Sequence, residues 1–90
     1  MHKIGGYIVE CSVEEYRDGW RAILRLFRHW PTSHRREAAV QYSVPALFPA
    51  KSAAERAAFL WARRLIDTNR DNIEFALADA ELDGELATHR

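Results

Sequence analysis

Between Gly19 and Arg28 the chain alternates without interruption: Trp20, Ala22, Leu24 and Leu26 fall on one side of an extended backbone, Arg21, Ile23, Arg25 and Phe27 on the other. A two-residue period marks a strand with one buried face, and a slip of a single position would turn every one of these side chains the wrong way. The run 7–13 has the same period, with Tyr7, Val9, Cys11 and Val13 opposite Ile8, Glu10 and Ser12. Arg17-Asp18-Gly19 lies between the two runs, and its glycine tolerates the positive φ that a hairpin turn often demands. Folding about that turn sets Cys11 near Ala22 and Val9 near Leu24, so the two apolar faces coincide.

Trp30-Pro31-Thr32-Ser33 breaks the alternation, because Pro31 lacks an amide donor and restricts the residue before it. A third run, 38–44, places Ala38, Val40, Tyr42 and Val44 on one face, and Pro45 suits the end of an edge strand. Ser52-Ala53-Ala54-Glu55 then has the form of a capping box. Behind it Ala54, Ala58, Trp61 and Leu65, widened by Phe59, Ala62 and Ile66, form the apolar stripe of a helix ending near Thr68. Asp71-Asn72-Ile73-Glu74 reads as a second capping box, with Ile73, Ala76, Leu77 and Ala80 at helical spacing up to Gly84. The same residues from Ile73 to Leu77 would also pass as a short strand, but Ala, Leu and Glu dominate the window and favour helix. The predicted architecture is α+β: a three-stranded antiparallel meander packed against one main helix, followed by a second C-terminal helix. The 90 residues fit one domain, with an ordered core over about 6–82 and fraying after Gly84.

Composition narrows the function classes. Apolar residues make up 48% of the chain, and 13 Lys and Arg balance 13 Asp and Glu, which argues for a globular domain and against a globally polyanion-seeking one. The balance hides an asymmetry, since Arg17, Arg21, Arg25, Arg28, Arg35 and Arg36 crowd the middle while acidic residues dominate after Asp71. Cys11 is the single cysteine, so no intramolecular disulfide staples the fold, and a reducing compartment follows as the simplest setting. The first apolar run stops at Glu10, too short for a signal peptide core or a membrane span, so the expected location is cytoplasmic.

No residue pattern demands catalysis. Cys11 sits on the inward face of a strand, where a thiol behaves as a small hydrophobe and lacks an activating base. His29 and His34 do not have the one-face helical spacing of a zinc protease, and no metal or cofactor site is expected. Ser52 is explained as a cap, and no nucleophile-elbow turn surrounds it. Gly5-Gly6 precedes a strand and so lacks the strand-to-helix geometry of a phosphate loop. The C-terminal carboxylates read as a solvated helix face.

The outward sheet row is more suggestive. Arg21, Ile23, Arg25 and Phe27, joined by Ile8, form a mixed basic and apolar face that a lone domain has little reason to leave bare. Three covers suit it: the C-terminal segment, the same face of a second copy in a homodimer, or a foreign partner. The leading expectation is therefore a non-catalytic protein-interaction module using this face. The alternative is a small nucleic-acid-binding or transcription-regulating protein. In that reading Arg28, Trp30, Arg35 and Arg36, with the neighbouring cations and rings, would contact phosphates and stack bases.

Gly6-Tyr7-x-Val9, Gly19-Trp20-Arg21-Ala22 and a Ser-x-x-Glu helix carrying Ala58, Ala62 and Ile66-Asp67 together resemble the layout of small uncharacterised proteobacterial β-meander-plus-helix proteins, including HlyU-like domains. The resemblance spans about Gly6 to Thr68 and implies a link to transcriptional regulation without supplying a functional residue. The order of three strands and a helix is also similar to HicB-type antitoxin domains. This chain lacks their Pro-rich segment after the second strand and their Gly-Asp-Thr helix entry.

Overall fold

In the computed structural model, which describes the backbone of residues 1–31 and 37–88 and the side chains of 1–31 and 37–82, four strands and one helix follow in the order β1 (His2–Ile4), β2 (Tyr7–Tyr16), β3 (Gly19–Phe27), β4 (Ala39–Ser43) and α1 (Lys51–Thr88). Every strand pairs antiparallel with its sequence neighbour, giving the sheet order β1-β2-β3-β4. The α+β class and the meander match expectation, but the sheet has a fourth strand. β1 was missed because it is only three residues long. Its sequence signal was present nonetheless, since Gly5 and Gly6 both take positive φ (56° and 92°), as a tight hairpin between Ile4 and Tyr7 requires.

The register of β2 and β3 differs from the expected one by two positions. Tyr16 pairs with Gly19, leaving only Arg17 and Asp18 as the loop, and Cys11 faces Leu24 while Val9 faces Leu26. The strands extend further toward the turn than their apolar alternation shows, because the tip carries Glu14, Glu15 and Tyr16. An even shift leaves each side chain on its expected face, so the buried row is unchanged. Beyond β4, the amide of Val44 donates to the Ala22 carbonyl, and Phe48 exchanges two 2.8 Å backbone bonds with Trp20. The chain thus rejoins β3 after skipping Pro45, Ala46 and Leu47.

One core lies between the sheet and α1. Val9, Ala22, Leu24 and Leu26 from the sheet meet Ala54, Ala58, Ala62, Ile66, Ile73 and Leu77 from the helix, all fully enclosed. The three alanines recur every four residues, so the backbone of α1 approaches the sheet closely along its first half. Aromatic contacts tie the helix to both edge strands of the sheet: Phe59 meets the His2 ring of β1 edge-on at 4.7 Å, and Trp61 lies 6.3 Å from Tyr42 of β4.

Two expectations for the helical region need correction. The helix begins at Lys51, and its first bond runs from the Ala54 amide to the Ala50 carbonyl, so Ala50 and not Ser52 occupies the capping position. The separate second helix is not a separate element either. The helix expected to end near Thr68 continues to Thr88 through a kink at Asn69, whose φ of −130° and ψ of 30° are not helical. Thr68 Oγ1 donates to the Arg64 carbonyl at 2.7 Å and accepts from Asn69 Nδ2 at 2.9 Å, a back-bonding arrangement that bends helices. No Gly or Pro lies between Asn69 and Asp71 to end the helix outright.

Candidate functional site

The outward row of β3 is placed as alternation requires, but its chemistry differs from expectation. Phe27, expected as an exposed contact, is only 4% exposed, and its cross-strand partner Ile8 only 2%. Ile23 and Arg21 are half-buried, and Arg25 alone of the four is exposed. The Arg25 guanidinium lies 5.5 Å from the centre of the Phe27 ring and pairs with Glu10 at 3.4 Å across the ladder. Arg21 lies over the Tyr16 ring at 5.2 Å, with its Nε enclosed and without a hydrogen-bond partner among the described residues. Of the C-terminal residues expected to cover this face, Ile73 and Leu77 instead pack into the core on the other side of the sheet.

Of the candidate nucleic-acid contacts, Arg28 is engaged within the chain. Its Nη1 binds the Glu74 carboxylate, its Nη2 donates to the Glu74 carbonyl at 3.4 Å, and its Nε donates to Glu81 at 2.6 Å. These bonds, led by the one to Glu81, hold the guanidinium pKa above its ordinary value, so the cation is fixed. The two glutamates are seven residues apart on α1, so Arg28 staples the end of β3 to two successive turns beyond the kink. Arg70 completes the staple by donating to the Gly5 carbonyl at 2.9 Å with its guanidinium 5.6 Å from the Tyr7 ring. The expected attraction between the basic middle and the acidic C-terminal part takes this form. Trp30 is 54% exposed, and Arg35 and Arg36, like His34, lie outside the described residues.

Among the described residues no group of three or more His, Cys, Asp and Glu is placed to hold a metal ion. Cys11 is partly buried, and burial first, then the Glu55 carboxylate, pushes its thiol pKa up. A raised thiol pKa keeps the neutral form at pH 7 and works against nucleophilic use. Burial likewise raises the Tyr42 phenol, and at Tyr7 burial is reinforced by Glu74. For all three groups the fold favours the protonated state. Their stabilisation is complete below the ordinary thiol and phenol ranges, beginning at about pH 8.5, and is lost as pH rises through the raised values. The expected outcome is a flat stability profile near neutrality, a decline on the alkaline side, and Cys11 alkylation at pH 7 at least roughly tenfold slower than in the unfolded chain. Labelling at the unfolded rate would show an open, ionised thiol.

The surface that sequence reasoning missed is the solvent side of α1. Leu60 is 74% exposed, Phe75 80% and Leu82 53%, in contrast to the enclosed Phe27. Within each half of α1 they share a face by helical spacing, Leu60 with Ala53 and Ala57 before the kink, Phe75 and Leu82 with Ala78 after it, and in both halves the residues packed on the sheet lie on the opposite side. An open groove of about 630 Å³ lies on the first half of this stripe, lined by Ala57, Leu60, Trp61, Arg63, Arg64, Asp67 and Thr68. The stripe escaped notice because the alanine face opposite it satisfies the helical period so completely that the second apolar row looked incidental.

No helix among the described residues is long and apolar enough to cross a membrane. Comparison of the chain with family models, with curated proteins and with solved structures finds no match, so the surfaces described above are the ground on which its function must be argued.

Proposed function

We propose that this domain is a non-catalytic protein-interaction module, and that its contact surface is the solvent face of α1 in place of the outer row of β3. One observation carries the reading: the two most exposed large apolar side chains among the described residues, Phe75 at 80% and Leu60 at 74%, lie with Leu82 on the side of α1 away from the sheet, whereas Phe27 is enclosed. Scattered exposed apolar residues are ordinary, but a row of them along one element marks a surface meant to be covered. The arginine row supports this choice by default, because Arg25 and Arg28 have acidic partners within the chain. The same pairings weigh against nucleic-acid binding, which draws on unpaired cations for phosphate contact.

The test is a photo-reactive phenylalanine analogue placed at Phe75, with the same group at exposed Glu15 as control, irradiated in cells that make the protein. The reading expects a discrete covalent adduct from position 75 and none above background from position 15. Equal, diffuse labelling at both positions would overturn it.

A further inference from the structure

The exposed stripe of α1 has a mirrored spacing. Positions 53, 57, 60 and 64 before the kink and 71, 75, 78 and 82 after it both step by four, three and four, reflected about the point between Asp67 and Thr68. Each half of such a helix can meet the other half of a copy running the other way, with the kink near the point of reflection. We propose that α1 pairs with α1 of a second copy, antiparallel, about a two-fold axis passing between Asp67 and Thr68. This rests on the reading of the helix face as the contact surface, and adds the partner and its orientation.

Reversal brings unlike residues together in the way an interface needs. Leu60 falls opposite Phe75, the most exposed pair of apolar side chains in the seam, and Ala57 opposite Ala78. Ala53 faces Leu82, so each bulky residue meets a smaller or differently shaped one. In antiparallel helix pairs a side chain enters the hole formed by four residues of its partner at positions i, i+3, i+4 and i+7. The groove on α1 contains such a set in Ala57, Leu60, Trp61 and Arg64, and it lies where Phe75 of the second copy arrives.

Charge selects the same orientation. The exposed Arg56 and Arg64 lie before the kink and the exposed Asp71 and Asp79 after it. Antiparallel pairing sets Arg64 opposite Asp71 and Arg56 opposite Asp79, twice each by symmetry. Parallel pairing would stack like charges instead, which costs affinity and suppresses that alternative. The facing segments, 53–64 of one copy with 71–82 of the other and the reverse, are each about 17 Å long at helical rise. A specific interface needs about 1,000 Å² in total, to which both pairs of facing segments contribute.

Sedimentation of the wild type, Arg64→Asp, Asp71→Arg and the combined exchange tests the arrangement. Both side chains are exposed, so each variant is expected to keep the wild-type circular dichroism. The wild type should associate to a dimer with increasing concentration. Each single reversal, repeated twice in a two-fold seam, should weaken association roughly tenfold, and the exchange should restore it. A wild type that stays monomeric into the hundreds of micromolar would overturn the proposal. So would a dimer indifferent to the single reversals, or an exchange no tighter than either single. A monomer that still yields an adduct with an unlike protein from position 75 removes the second copy while leaving the interaction reading in place.

Discussion

Leu24→Ala is expected to lower the unfolding free energy by about 3 kcal/mol, while Leu60→Ala should change it by less than about 0.5 kcal/mol. The two leucines differ only in where the fold puts them. Leu24 is fully enclosed at the centre of the sheet, with Cys11 and Tyr42 as its cross-strand neighbours and the alanine row of α1 above it. Truncation there removes buried methyl groups and leaves a cavity that rigid neighbours on two strands fill poorly. Leu60 is 74% exposed, so its truncation removes almost no buried area. Chemical denaturation of the two variants beside the wild type measures both quantities. In a chain of this size the Leu24 effect should appear as a fall in Tm of more than roughly 10 °C. A Leu60 variant as unstable as the Leu24 one would place the helix face in the core and remove it as a contact surface.

The second large effect is expected at Gly19. Its φ of 148° lies where side chains are rarely tolerated, and a Cβ there would come within 2.8 Å of the Phe48 carbonyl oxygen. That oxygen accepts from the Trp20 amide, so backing away breaks the bridge by which the chain rejoins β3. Gly19→Ala therefore combines backbone strain with a clash against main chain that cannot rotate aside, at a cost of about 2–3 kcal/mol. Gly6 makes the useful comparison, since its φ is also positive but the nearest atom to an added Cβ is the Arg70 guanidinium at 3.9 Å, at the far end of a flexible side chain. Gly6→Ala should accordingly cost less than Gly19→Ala, about 1 kcal/mol. Equal losses at both positions would mean that the Phe48 bridge contributes nothing.

Much of the fold was readable because β2 and β3 announce themselves in the strongest available pattern, with apolar residues at alternate positions and a glycine at the turn. The same pattern failed where a strand is too short to show a period, as in β1, and where polar residues extend a strand past its buried part, as at Glu14, Glu15 and Tyr16. Sequence located a break near Thr68 correctly in position but not in kind, because a threonine and an asparagine bend a helix without ending it. The candidate surface was legible only in part. Alternation identified which residues of β3 point outward, yet it carries no information on their accessibility, and Phe27 is enclosed all the same. Nor does it show which cations find partners: Arg28 meets Glu74 and Glu81 only through contacts between residues distant in the chain. The row of Leu60, Phe75 and Leu82 could have been found by asking whether the leftover apolar residues of the helix share an azimuth.

Both margins of the sheet are brief: β1 has three residues and β4 five, the latter followed at once by Val44 and Pro45. An incoming peptide that extends a sheet needs several consecutive unpaired amides and carbonyls on a straight outer strand. The β4 margin offers no such template because it meets a proline that cannot donate, but β1 covers only Tyr7–Val9, and Glu10–Tyr16 of β2 pair on the β3 side alone. Strand addition is thereby confined to the outer edge of β2 toward the hairpin tip, where Glu10, Glu14 and Glu15 line the open backbone with like charge and discourage edge-to-edge aggregation.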